Sequence, residues 1–228
     1  MSMRLPVLLS IVALLAAGCV QTGGTRRSSD NNAGVSADPS DAEKRASVRL
    51  ELAGGYFSRG QFNTALDEIK LALAAKPDMG AAYNMRGLVY AAMGEERLAE
   101  ESFERAMTLN PRDADAMHNR AWFKCQRGQY DDADRLFEQA IATPQYRDLA
   151  RSLMAQGICY ARAGRMVPAE QKLLRAYEVD PTNPTTAYNL ADVLYRRSEL
   201  ERARFYIRRV NDSEEWSNAQ TLWLAARI

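Results

Sequence analysis

His118 and Cys125 are the two side chains of this sequence that could act together as a base and a nucleophile. They lie seven residues apart in a segment of helical periodicity, so they share a helix face but are separated by about 10.5 Å along the axis. A general base must approach its nucleophile to within about 3 Å. Two ligands also fall short of the roughly four that structural zinc requires. The pair therefore predicts neither catalysis nor a metal site.

Cys19 belongs to a different pattern, in which Arg4 precedes an almost wholly apolar segment from Leu5 to Ala17. One cation, an apolar stretch and small residues at its end are typical of a secretory signal peptide. The segment is shorter than the ~20 apolar residues that span a membrane, because polarity returns at Gln21. We therefore expect export of the chain.

The end of this segment, Leu15-Ala16-Ala17-Gly18-Cys19, resembles the lipobox of bacterial lipoproteins, whose peptidase cleaves before a cysteine that carries acyl chains such as palmitate. The resemblance predicts a lipoprotein signal peptide over residues 1–18 and lipid attachment at Cys19. An ordinary secreted protein is the alternative. Val20 stands where aspartate is associated with inner-membrane retention, so the resemblance implies an outer-membrane anchor that faces the periplasm.

Residues 19–41 are predicted to be the lipidated cysteine and a flexible tether, because a segment rich in Gly, Ser, Asn and Asp buries too little apolar surface to fold. The whole chain carries 30 Lys and Arg against 29 Asp and Glu, which argues against a nucleic-acid partner. With a single histidine and three cysteines, the composition disfavours most hydrolases and metalloenzymes and favours a protein that binds rather than one that catalyses. We expect no cofactor and no small-molecule substrate.

Residues 42–228 repeat themselves with a period close to 34. Five columns keep step: glycines (Gly60, Gly94, Gly128, Gly164), alanines (Ala65, Ala99, Ala133, Ala169, Ala203), large apolar residues (Ile69, Phe103, Phe137, Leu173, Ile207), a second small column (Ala72, Ala106, Ala140, Ala176, Val210) and prolines (Pro77, Pro111, Pro144, Pro181). This pattern resembles the tetratricopeptide repeat, in which each unit is a hairpin of helices A and B. The implied fold is all-α, a right-handed superhelical solenoid.

The five units are expected over residues 46–79, 80–113, 114–147, 150–183 and 184–217. A final segment, residues 213–228, has helical spacing and is predicted to be one further helix. Because each unit of a solenoid packs only on its neighbours, the last one must be covered. We expect the final helix to cover it by burying Trp216 or Trp223.

The inner face of such a solenoid is lined by positions 2, 5, 9, 12 and 13 of each unit, and the resemblance places an apolar stripe there. The predicted partner-binding groove consists of Leu50, Phe57, Leu88, His118, Trp122, Met154, Ile158, Tyr188 and Tyr195. A contiguous apolar strip on a protein surface marks a site for a partner. The alternative is that these side chains pack between adjacent A helices.

Cys125 and Cys159 fall on neighbouring A helices of this arrangement. A disulfide needs Cα atoms within ~7 Å, whereas the axes of packed helices lie ~8–10 Å apart. Two buried free thiols are therefore favoured over a disulfide.

Several stretches narrow the resemblance to the type IV pilus biogenesis and stability lipoproteins, the PilF/PilW pilotin family. They are His118-Asn119-Arg120-Ala121-Trp122-Phe123-Lys124-Cys125-Gln126, Pro144-Gln145-Tyr146, Gln156-Gly157-Ile158-Cys159-Tyr160, Asp180-Pro181-Thr182-Asn183-Pro184 and Leu222-Trp223-Leu224. The resemblance implies a non-enzymatic outer-membrane lipoprotein that binds the pilus secretin subunit and promotes its multimerisation. The alternative is another repeat-bearing lipoprotein adaptor, which serves peptidoglycan hydrolases or outer-membrane protein assembly.

Overall fold

The computed structural model describes residues 39–228, and these residues form eleven α-helices and no strand. Within this range no helix has the length and apolar character needed to cross a membrane. The helices are α1 (Pro39–Ser58), α2 (Phe62–Ala75), α3 (Gly80–Met93), α4 (Glu96–Leu109), α5 (Ala114–Gln126), α6 (Tyr130–Ala142), α7 (Leu149–Arg162), α8 (Met166–Val179), α9 (Pro184–Arg196), α10 (Leu200–Asn211) and α11 (Ala219–Arg227). The predicted all-α solenoid is confirmed.

The helices form five antiparallel pairs, α1 with α2 through α9 with α10, and each pair packs on the next. The odd-numbered helices are the A helices, and α1, α3, α5, α7 and α9 contact one another in that order. Four of the turns within pairs use the glycine column, with φ between 72° at Gly60 and 78° at Gly94. The fifth turn has Ser198 at φ 62° in the same place. The left-handed backbone is thus a requirement of the turn, and glycine meets it without a Cβ clash.

Close approach of the two helices in a pair explains the small residues of the A helices. A Cβ added at Gly87 would lie 2.6 Å from the ring of Phe103, and one added at Gly157 would lie 2.6 Å from Leu173. Phe103 and Leu173 are fully buried and come from the large apolar column of helix B. The glycine in helix A therefore makes room for the large residue in helix B.

The buried apolar residues form a series of local clusters along the chain rather than one central core. Each cluster combines residues from a pair of helices and the next pair, as in Ala121, Phe137 and Ala155. Burial of this kind contributes about 25 cal/mol per Å² of apolar surface. The stability of the array is therefore distributed over its neighbouring interfaces.

The two ends of the array differ from the expected boundaries. Helix α1 begins at Pro39, within the segment assigned from the sequence to the tether. At the other end α11 covers only Ala219–Arg227 of the segment 213–228 that was predicted to be helical, and it packs on α10, as predicted for a covering helix. The residues that it buries are Thr221 and Leu224. The prediction that Trp216 or Trp223 is buried is wrong, since they remain 45% and 55% exposed.

The reason lies in the phase of α11. Asn218 caps the helix and accepts hydrogen bonds from the backbone of Gln220 and Thr221, which fixes where the first turn begins. From that start Leu224 falls on the side that meets Ile207 and Val210, whereas Trp223 falls outside it. Helical spacing alone cannot distinguish these two phases.

Candidate partner-binding face

The predicted groove residues lie on the odd-numbered helices. We call the surface that these residues line the inner face. Leu50, Phe57, Leu88, Trp122, Met154, Ile158, Tyr188 and Tyr195 are all half-buried. Each packs on a core cluster, as Trp122 does beside Cys125 and Ala155. Part of each side chain therefore stabilises the array and part remains accessible. That these residues bind a partner stays a prediction.

His118 does not share this exposure. It is 7% exposed, its ring lies edge-on to Phe137, and its Nδ1 is 2.7 Å from the hydroxyl of Ser152 on α7. The prediction that His118 lines the groove is therefore wrong. The side chain connects α5 to α7 and offers no surface to a partner.

A chain of hydrogen bonds determines the role of this histidine. The hydroxyl of Ser152 donates to the phenol oxygen of Tyr146 at 3.1 Å, and that phenol donates to Asp115 at 3.4 Å. Because the single hydroxyl hydrogen of Ser152 is used in this way, His118 donates its Nδ1 hydrogen to Ser152. Burial lowers the pKa of His118 to about 3, and the charge of Arg151 acts in the same direction. The imidazole is neutral and structural at neutral pH.

Cys125 and Cys159 form a disulfide between α5 and α7, so the expectation of two free thiols is wrong. Their Cα atoms are 5.8 Å apart, inside the range for a disulfide. The spacing of helix axes is a poor guide to this distance, because Cα atoms lie ~2.3 Å from the axis of their helix. Two Cα atoms that face each other are therefore about 4.6 Å closer than the axes. With Cys125 in the disulfide and His118 bonded to Ser152, these residues do not form a nucleophile–base pair.

Two aromatic side chains of the inner face each contact an arginine from the next A helix. The guanidinium carbon of Arg162 on α7 lies 5.1 Å from the ring centroid of Trp122, which is on α5. Arg227 on α11 lies 5.2 Å from the centroid of Tyr195 on α9 and 4.5 Å from that of Trp223. Neither contact was predicted from the sequence. Position 13 of the fourth unit could have indicated Arg162, but Arg227 lies in an incomplete unit.

A cleft of about 300 Å³ opens where α9 meets the segment before α11. Tyr188 and Trp216 form its aromatic walls, and Asn189 and Gln220 add polar groups. Trp216, which was expected to cover the core, therefore borders a cavity at the inner face. A pocket with aromatic walls and a few polar groups can accept an apolar side chain of a partner.

Ion pairs on the side of the A helices away from the inner face connect a helical pair to the one before it. Arg120 and Lys124 both bind Glu100 of the preceding B helix, and Arg120 also reaches Glu104 at 2.9 Å. Burial raises the pKa of Glu100, but the hydrogen bonds from Arg120 and Lys124 outweigh it, so the pKa lies below its usual value. These side chains are engaged within the array and are separate from the inner face.

The helical pairs, the left-handed turns and the interlocking small and large columns define a solenoid of helix–turn–helix units. Three sequence models of the tetratricopeptide repeat match the chain, over residues 80–113, 102–135 and 125–184. Residues 80–184 of the chain therefore consist of tetratricopeptide repeats.

Among proteins of this class, the chain is similar to the type IV pilus assembly protein PilF of Pseudomonas aeruginosa. The two are 25% identical over 199 residues, which cover 87% of this chain and 76% of PilF. An uncharacterised protein of Haemophilus influenzae is 26% identical over 147 residues, 64% of this chain and 81% of its own length.

Two solved structures have the same arrangement of helices. The structure of Pseudomonas aeruginosa PilF superposes with a TM-score of 0.76, covering 82% of this chain and 84% of that one, at 22% identity. The structure of PilW, described as a widely conserved type IV pilus biogenesis factor, has a TM-score of 0.73 and 27% identity, with coverage of 78% and 82%. The chain is thus a homologue of type IV pilus biogenesis proteins.

Proposed function

We propose that this protein is a pilotin: a lipoprotein anchored through Cys19 to the periplasmic face of the outer membrane, which binds the type IV pilus secretin subunit and promotes its assembly. The protein acts by binding and not by catalysis. The observation that carries the proposal is the similarity to PilF across 87% of the chain.

The inner face supplies what such a function needs. Its apolar side chains are half-buried, so they are held in place by the core and still present surface to another polypeptide. Aromatic residues in that setting contribute strongly to binding, because they bury large area at little conformational cost. An anchor on the membrane would raise the local concentration of the captured subunit there.

Binding to the secretin subunit tests the proposal directly. We expect the full chain to bind the purified subunit and Trp122→Ala to weaken the affinity by about 30-fold, equivalent to ~2 kcal/mol for an interfacial aromatic residue. The matched control is Phe205→Ala, an exposed aromatic residue on the B helix α10, which should leave the affinity within about twofold. Circular dichroism checks that both variants remain helical, and Tyr188→Ala serves as a second inner-face variant.

Gene deletion and localisation complete the test. Cells that lack the gene should have fewer secretin multimers and should lose twitching motility, and Cys19→Ser should leave the outer-membrane fraction. Cys19 lies outside the described residues, so this prediction rests on the lipobox alone. Normal secretin rings and normal twitching in the deletion strain would contradict the proposal, and capture of a peptidoglycan hydrolase would favour the adaptor role.

A further inference from the structure

The inner face between α5 and α11 carries more positive charge than its apolar stripe suggests. Its two acidic residues at the inner-face positions are each neutralised: Arg151 pairs with Asp115 at 3.0 Å, and Arg196 pairs with Asp192 at 2.9 Å. Arg162 and Arg227 are exposed, and neither has an ion-pair partner among residues 39–228. Two uncompensated guanidinium groups therefore remain on this surface.

Aromatic rings hold these two guanidinium groups in place. The guanidinium of Arg162 lies over the ring of Trp122, and that of Arg227 lies over the rings of Tyr195 and Trp223. A guanidinium that lies over a ring can still use the N–H donors at its edge, which bind a carboxylate through two parallel hydrogen bonds. Because the contact with the ring already restricts the rotation of the guanidinium, less entropy is lost when a carboxylate binds.

We propose that the inner face binds an extended segment of the partner in which acidic side chains flank apolar ones. Carboxylates bind Arg162 and Arg227, and the apolar residues between them contact Ile158 and Tyr195. This inference rests on the proposed function, since it specifies which chemistry the partner presents to that surface. The balance of charge selects an acidic segment, because a basic one would meet two unneutralised cations at close range.

The helical array also sets the spacing of the acidic residues. Arg162 is on α7 and Arg227 is on α11, two steps apart in the series of A helices. Adjacent packed helices are ~10 Å apart, so the two cations are separated by about 20 Å. An extended chain advances ~3.3 Å per residue, which places the two carboxylates about six residues apart.

Selection from a displayed library of random peptides of about twelve residues, long enough to span ~40 Å, tests this proposal. We expect the full chain to enrich peptides with Asp or Glu about six residues apart and apolar residues between them. The double variant Arg162→Glu/Arg227→Glu should weaken their binding about tenfold or more. The matched control is Arg209→Glu: the guanidinium of Arg209 also lies over an aromatic ring, Phe205, but Arg209 is on the B helix α10. It should leave binding within about twofold.

Several outcomes would overturn the proposal. They are an empty selection, enriched peptides without acidic residues, and acidic peptides whose affinity is the same for the double variant as for the wild type. Binding of wild type, but not the double variant, to phosphatidylglycerol vesicles, with no peptide enriched, would assign the arginines to lipid headgroups instead. The secretin subunit is measured in parallel: if it fails to bind the wild type, the proposed function fails, while the peptide selection still decides this inference.

Discussion

At the scale of single residues, His118 shows how burial changes the role of a reactive side chain. Its imidazole lies between Phe137 and Ser152, where a neutral ring completes a hydrogen-bond chain to Asp115. A proton on this ring would have to be accommodated away from water and near the charge of Arg151. The folded state therefore favours the neutral form.

This preference predicts a pH dependence of stability. The pKa of His118 is about 3 in the folded protein and 6.5 ordinarily, so between these values the unfolded chain binds a proton that the folded chain does not. The free energy of unfolding should accordingly decrease as the pH falls through this window, by up to ~1.4 kcal/mol per pH unit. Urea titrations at neutral pH and at about pH 4 measure the decrease, up to ~3 kcal/mol from this residue.

The control is His118→Asn, whose amide can still donate to Ser152 but has no proton to gain. Carboxylates also lose stabilising interactions in acid, so the quantity that matters is the difference between the two proteins. A wild type and a variant with the same pH dependence would contradict the buried neutral histidine.

At the scale of helices, the disulfide between Cys125 and Cys159 connects two successive A helices and encloses α6. A link across 34 residues restricts the unfolded chain and should contribute ~3–4 kcal/mol to stability. We expect Cys125→Ala/Cys159→Ala to lower the free energy of unfolding, measured by urea titration, by that amount. Reductant should lower the stability of the wild type and leave the double variant unchanged; equal sensitivity would argue against the link.

The helical pairs could be predicted from the sequence because their determinants recur in every unit. A glycine in the turn and a small residue opposite a large one, such as Gly87 opposite Phe103, are short-range requirements, and five copies align them. Features that occur once gave no such signal. The burial of His118 depends on a serine 34 residues away. The disulfide depends on the distance between the Cα atoms of Cys125 and Cys159, which cannot be read from the spacing of the helix axes.

At the scale of the whole molecule, stability is spread over interfaces between neighbours, so the ends of the array matter most. Leu224 of α11 is fully buried against Ile207 and Val210 of α10, and it is the main apolar contact of the covering helix. The residue two positions earlier, Leu222, is exposed on the same helix. Substitutions at Leu224 and Leu222 can therefore be compared to measure how much the covering helix α11 contributes to stability.

We expect Leu224→Ala to lower the free energy of unfolding by ~3 kcal/mol, whereas Leu222→Ala should change it by less than about 0.5 kcal/mol. Hydrogen exchange should accelerate in α9 and α10 of the Leu224 variant and remain unchanged in α1 and α2, because repeats sense only their neighbours. Uniform acceleration along the chain would show that the array unfolds as one cooperative block.

The disulfide also has a mechanical consequence for a molecule that is pulled from its two ends. Terminal repeats can peel away one after another, but the 34-residue loop closed by Cys125 and Cys159 cannot straighten. At ~3.5 Å per residue, about 120 Å of contour length is withheld from the extended chain. Under load, the third and fourth repeats therefore limit how far the polypeptide can be drawn out.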